Sequence, residues 1–266
     1  MFNIFSKIIF CLVIFMKVCY AEPIKIGMAI NPFPPYILGT KFSLPNERPG
    51  VTVELLKQVA KNLNIKFKFI RSPWPRVLLN TQSGKTDAAL GSSFKVERSH
   101  YGVYPLLDGK EDPSRSVGIR SYYLYQNKEN SVLWDGVQFN STNKTFGVMR
   151  GYSIVNELRK SGLTIYEIDS QEQLFSMLKV GRLDGVIDLE NFSDQLLKQF
   201  PDLATNVIKI SPPVRQKAYH LMFSKHFAKN NLALIEKVWD EIGRLRNSPY
   251  YEELIASYLM TTKKKM

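Results

Sequence analysis

Thr86-Asp87-Ala88-Ala89-Leu90-Gly91-Ser92-Ser93-Phe94-Lys95-Val96-Glu97-Arg98-Ser99-His100-Tyr101-Gly102-Val103-Tyr104-Pro105 is the stretch on which the fold turns. It starts as an apolar strand, Ala88 to Leu90, opens into a small-residue mouth, Gly91 to Ser93, and sets Arg98 about one helical turn further on. Such a strand end offers backbone N–H groups, hydroxyls and a guanidinium to an incoming anion. Arginine suits the task because its planar fork matches a carboxylate in two parallel hydrogen bonds. The competing reading of Glu97-Arg98 is a solvated turn with a surface ion pair.

Upstream of this stretch, strand and helix alternate. Ile24 to Ile30 reads as a strand, ended by Asn31-Pro32-Phe33-Pro34-Pro35-Tyr36, because proline has no ladder donor. Val53, Leu55, Leu56, Val59, Ala60 and Leu63 share one helical face. Ile65 to Ile70 is the next strand, and Pro73-Trp74-Pro75 starts a short helix through Leu79. This order predicts a parallel sheet with its ligand at the carboxyl ends of the strands, where Tyr36, Trp74 and the Gly91 to Ser93 mouth converge.

Downstream, Ser121 to Asn127 is an extended aromatic segment and a second alternation begins at Thr145. Ser153 reads as the N-cap of a helix from Ile154 to Lys160, and strands follow at Ile165 to Ile168, Leu183 to Ile187 and Val207 to Ile210. Ser211-Pro212-Pro213 closes this unit, and Ala218 to Phe223 is again extended. The pattern Leu232, Ile235, Val238, Trp239, Ile242, Leu245 then marks a long helix, with a shorter one after Pro249. The expected organisation is an α/β chain of two lobes, residues 22–120 plus 218–266 and residues 121–217, joined by two hinge crossings around a ligand cleft.

The segments Gly50-Val51-Thr52-Val53-Glu54-Leu55-Leu56, Gly84-Lys85-Thr86-Asp87-Ala88-Ala89, Glu97-Arg98 with Tyr104-Pro105, and Gly181-Arg182-Leu183-Asp184-Gly185-Val186 together resemble the family 3 extracellular solute-binding proteins, the periplasmic amino-acid-type receptors of ABC transporters. The resemblance implies a type II periplasmic-binding fold, no catalysis, no cofactor, and delivery of a small carboxylated, amino-acid-like ligand to a membrane permease. It implies that Arg98 clamps the ligand carboxylate with Ser93 beside it, that Gly91 offers backbone to the amino group, and that Tyr36 and Phe33 lie where an aromatic stacks on the ligand. It also implies that the Gly151-Tyr152-Ser153 turn completes the carboxylate site. Two positions depart from the family pattern. Lys95 stands where a threonine is usual, and Leu189 stands where an acid binds the α-amino group, so that role falls to Asp188 or Glu190 after a shift of one residue.

Trp74 and Arg76 have two readings, as cleft residues that stack and pair with the ligand or as a plug of the helix against the sheet. Asp184 reads as a structural turn residue. The rival function is a cleft enzyme of the same fold, a lyase resembling cyclohexadienyl dehydratases, with Glu190, Asp188 or Glu97 as general acid.

The first residues address the chain. Lys7, the apolar run Ile8 to Phe15 and the Cys19-Tyr20-Ala21 site form an expected signal peptide, residues 1–21, cleaved near Ala21, which leaves a periplasm or free secretion as the destination, and the resemblance implies the periplasm. Both cysteines, Cys11 and Cys19, leave with it, which excludes disulfides and thiolate chemistry from the remainder. The formal charge of +12 falls to +10 as Lys7 and Lys17 depart. The basic residues are spread along the chain apart from Lys263-Lys264-Lys265, so no nucleic-acid partner is expected and the protein is read as a monomer.

Overall fold

The computed structural model describes residues 22–40, 42–140 and 143–263. The expected signal peptide and the terminal Lys264 and Lys265 lie outside the described residues.

The first half contains β1 (Ile24–Ala29), α1 (Val51–Asn62), β2 (Phe67–Ser72), α2 (Trp74–Gln82) and β3 (Ala88–Ser93). A 3-10 turn, Val96–His100, follows, and then the short strands β4 (Gly102–Val103), β5 (Leu106–Leu107) and β6 (Lys110–Glu111). A long strand, β7 (Gly118–Asn127), leads into β8 (Thr145–Met149), α3 (Val155–Lys160), β9 (Thr164–Ile168), α4 (Gln171–Lys179), β10 (Gly185–Leu189), α5 (Glu190–Gln199) and α6 (Pro201–Ala204). The longest strand, β11 (Val207–Ser224), returns the chain to α7 (Lys225–Arg246) and α8 (Pro249–Lys263). No helix of the described residues is long and apolar enough to cross a membrane.

Nine strands make one sheet in the order β2-β1-β3-β11-β7-β10-β8-β9, with β4 also on β11. Pairing is parallel within β2-β1-β3 and within β10-β8-β9, and antiparallel through β11 and β7, which join the two sets. Parallel strands covered by helices need apolar residues on both faces. β10 is buried along its whole length, with Val186, Ile187 and Leu189 apolar and Asp188 the exception. α1 buries Val53, Leu55, Leu56, Val59 and Ala60 and leaves Lys57 and Lys61 outside, as its helical period requires.

Three boundaries differ from the sequence reading. β11 is one strand rather than two extended pieces, and Pro212-Pro213 falls inside it where the register with β7 breaks between Ile210 and Arg215. Residues without an N–H are tolerated where the ladder is interrupted. α7 begins at Lys225, capped by Ser224 Oγ, which accepts from the Phe227 N–H at 3.1 Å, and it kinks at Asn231. Before the kink only Phe227 and Ala228 are apolar, too few to set a period, so the apolar period points only to the part after the kink. Ser153 does not cap α3: the helix starts at Val155 behind Ile154, without a side-chain cap.

α8 folds back onto the start of α1. The Tyr258 hydroxyl accepts from the Gly50 N–H at 2.9 Å and donates to Glu54. Gly50 has φ +114, and a Cβ there would lie 2.4 Å from the Tyr36 carbonyl oxygen. Gly50→Ala is therefore expected to cost about 1–3 kcal/mol or more and to lower the Tm by several degrees in calorimetry. An unchanged Tm would contradict this packing.

Asp188 is the interior charge of the second half. It is fully buried on β10, and one carboxylate oxygen accepts from Gln171 Nε2 at 2.6 Å and Ser193 Oγ at 2.8 Å while the other has no partner among the described residues. Burial pushes its pKa up from 3.8 to about 6. The folded chain thus keeps a proton that the unfolded chain has lost between these values, and the associated stability is full below the lower value and disappears as pH rises through the upper one. Asp188→Asn should remove this loss, so that urea unfolding at pH 4 to 7 shows the variant gaining on the wild type by up to about 3 kcal/mol. Parallel pH profiles would contradict the assignment.

Candidate functional site

The site is built on the loop after β1. Arg71, at the end of β2, donates to the carbonyls of Ile30 at 2.6 Å, Leu38 at 2.9 Å and Ser43 at 3.0 Å. One buried guanidinium thereby fixes the loop that carries Phe33. The Phe33 ring stacks on Tyr36 at 5.3 Å and meets Phe192 of α5 at 4.8 Å, so a first-half aromatic touches a second-half one.

β3 supplies the next wall. Its register with β11 runs Tyr219 to Ser93, His220 to Ser92 and Leu221 to Leu90, leaving Gly91 as the extra residue of a bulge with φ +81. Glycine accepts that conformation without a steric cost. The bulge changes the alternation: Ser92 turns to the Tyr104 hydroxyl at 2.8 Å, while Leu90, Gly91 and Ser93 all face the cleft.

Arg98 reaches the cleft from the 3-10 turn and is only 4% exposed. Its Nη1 donates to the Ser93 carbonyl at 2.7 Å and more weakly to Ser92 Oγ at 3.3 Å, and Nη2 donates to the Gly151 carbonyl at 2.8 Å. The Trp74 ring lies 5.6 Å from the guanidinium carbon. Ser93 and Ser153 share a hydrogen bond at 2.6 Å, and Asn156 donates to Glu97. Both halves therefore meet at Arg98, around a cavity of about 310 Å³.

A second arginine, Arg120 of β7, also lines this cavity. Its guanidinium carbon lies 4.1 Å from the Phe33 ring and 4.4 Å from the Tyr219 ring. Burial lowers its pKa from the ordinary arginine value. The sequence signal for Arg120 is weak, since a lone arginine opening an extended segment has no motif around it.

Of the residues expected in the site, Phe33, Trp74, Gly91, Ser93, Arg98, Tyr152 and Ser153 line the cavity. Gly151 takes part through its carbonyl, and Tyr36 stands behind Phe33. Arg76 is exposed and outside the lining. Asp188 and Glu190 are also outside it, while Leu189 between them lines it. Successive strand residues face opposite sides, which turns Asp188 away toward Gln171 and Ser193, and Glu190 opens α5 in an ion pair with Lys209 at 2.8 Å. Glu97, the remaining acid considered for general-acid work, is exposed and outside the lining as well. Asp184 holds its own turn by accepting from the Thr145 N–H at 2.8 Å and from Lys144 at 2.9 Å.

Residues 24–103 match the model of the bacterial extracellular solute-binding proteins, family 3. No curated protein matches the chain by sequence. Among solved structures, a histidine kinase sensor domain with similarity to periplasmic binding proteins aligns with a TM-score of 0.68 at 16% identity, over 90% of this chain and 97% of that one. A mutant of ArgBP from T. maritima aligns with a TM-score of 0.65 at 18% identity, over 89% and 95%. The substrate binding protein of an amino acid ABC transporter aligns with a TM-score of 0.64 at 16% identity, over 89% and 99%. At these identities the likeness to the solved structures is one of fold. In its matched segment the chain resembles the family 3 extracellular solute-binding proteins, and across the described residues it has the type II periplasmic-binding fold.

Proposed function

We propose that the chain is a periplasmic receptor that captures a small carboxylated solute of amino-acid size by hinge closure between residues 22–120 with 218–266 and residues 121–217. It then hands the solute to the permease of an ABC transporter, as a monomer and without catalysis. The observation that carries this reading is Arg98, a buried guanidinium at a strand end whose second nitrogen reaches the backbone of the opposite wall. A carboxylate entering such a cleft loses its water, and charge-assisted hydrogen bonds offset that loss. An anion on Arg98 would replace or join the Gly151 carbonyl, so binding and closure would act through one group. The family match over residues 24–103 and the fold shared with amino-acid-binding proteins support the same reading. The placement of Asp188, Glu190 and Glu97 outside the cavity lining weighs for a binding role over a lyase.

Calorimetric titration of the mature protein with amino acids and small organic acids tests the proposal, with saturable binding expected for at least one carboxylate. Arg98→Lys keeps the charge and loses the fork, and it should weaken that binding by about 2–5 kcal/mol, thirtyfold or more. Circular dichroism would check that the variant folds. Undiminished affinity in a folded Arg98→Lys would remove Arg98 from the site, and absence of any binding at millimolar concentration would reject the carboxylate receptor altogether.

A further inference from the structure

The cleft carries more positive charge than one carboxylate answers, and it has no acid in place for an ammonium group. Its lining contains Arg98, Arg120, Arg150 and a single carboxylate, Asp169. Asp169 already accepts from Arg150 Nε at 2.8 Å, and both side chains of that pair are more than half exposed at the rim. Arg120 has no hydrogen-bond or ion-pair partner among the described residues. It packs on the rings of Phe33 and Tyr219, which attract a cation but leave its N–H fork without conventional acceptors.

Arg120 and Arg98 sit against neighbouring points of one strand end. The Arg120 Nη2 lies 3.4 Å from where a Gly91 Cβ would be, and Arg98 Nη1 is 2.7 Å from the Ser93 carbonyl. Gly91 and Ser93 are two residues apart, at most about 7 Å along an extended chain. Two anionic groups separated by a few carbons match such a pair of anchors. The walls between and around them are apolar, with Trp74, Leu90, Leu189 and Phe192 facing in.

We propose that Arg120 is a second anion anchor and that the ligand is a small dicarboxylate with an apolar body and no ammonium group. The inference rests on the carboxylate-receptor reading and specifies its ligand class. Arg98 holds one carboxylate at the Ser93 side, Arg120 holds the other at the Gly91 side, and Leu189 packs on the carbon skeleton where an ammonium would need an acid.

The test compares diacids with monoacids of the same skeleton by calorimetry on the mature protein: glutarate with valerate, adipate with hexanoate, phthalate with benzoate. L-glutamate and L-glutamine are included as α-amino acids. At least one diacid should bind tenfold or more tighter than its monoacid and tighter than either amino acid. Arg120→Gln should bring that diacid to within about threefold of its monoacid, the diacid losing several times more affinity than the monoacid. If Arg120→Gln does not fold, Arg120→Lys serves, with a diacid advantage reduced by at least threefold expected. Carboxylate binding with no diacid advantage, or with an amino acid bound best, overturns the inference and leaves the receptor reading standing. So does an advantage that survives in a folded Arg120 variant. Binding of none of these compounds at millimolar concentration overturns both.

Discussion

The antiparallel pairing of β7 with β11 is the constraint on which the molecule depends. These strands run side by side from Gly118 opposite Tyr219 to Asn127 opposite Val207, with one break in register between Ile210 and Arg215. β3 hangs on one end of the pair and β10 on the other, so each parallel set takes its position from the same two strands. The pair also forms the floor of the cleft. Tyr122 of β7 and Tyr219 of β11 share a hydrogen bond at 2.7 Å between buried hydroxyls, and Arg120 stands beside them. Burial pushes the Tyr122 hydroxyl well above its ordinary pKa and raises that of Tyr219, so both remain neutral donors in a polar floor under an apolar wall.

The charges in the cleft are not equivalent. The exposed Arg150–Asp169 pair is screened by solvent and contributes little to its field. Arg98 and Arg120 lie deeper, where the same charge acts over a longer range because less water intervenes. A guanidinium withdrawn from water needs replacement acceptors. For Arg98 these are backbone carbonyls of both walls, which makes its position a property of their approach. For Arg120 they are ring faces, a weaker substitute that leaves its donors available to the cleft. The difference explains how two arginines in one cavity take different parts in it.

Much of the fold is legible in the sequence because burial imposes a period on it. The apolar face of α1 and the proline stop after β1 mark their elements directly. The long strands are less legible, because β11 passes through Pro212-Pro213 and only three-dimensional pairing reveals that the chain continues. The start of α7 is hidden for a related reason, since its first turns before the kink at Asn231 carry no apolar stripe. In the cleft, Arg98 is legible from the mouth that precedes it. Arg71 and Arg120 are not, as the first acts on carbonyls of a loop 28 to 41 residues away in sequence, and the second owes its place to rings from β11 and the loop after β1.

Leu189 shows most clearly how the alternation of a buried strand decides which side chains line a cleft. β10 is buried on both faces, so each of its residues is committed either to the cleft or to the helical layer behind it. The alternation of a strand has period two, and a carboxylate one residue away cannot exchange sides without slipping the whole register. Asp188 is further tied to Gln171 of α4 and Ser193 of α5, so turning it inward would leave two buried donors unmatched. Glu190 is held by the helix that it begins and by Lys209. Neither Asp188 nor Glu190 therefore reaches the cleft, Leu189 faces it between them, and the lining is cationic at the β3 end and apolar at the β10 end.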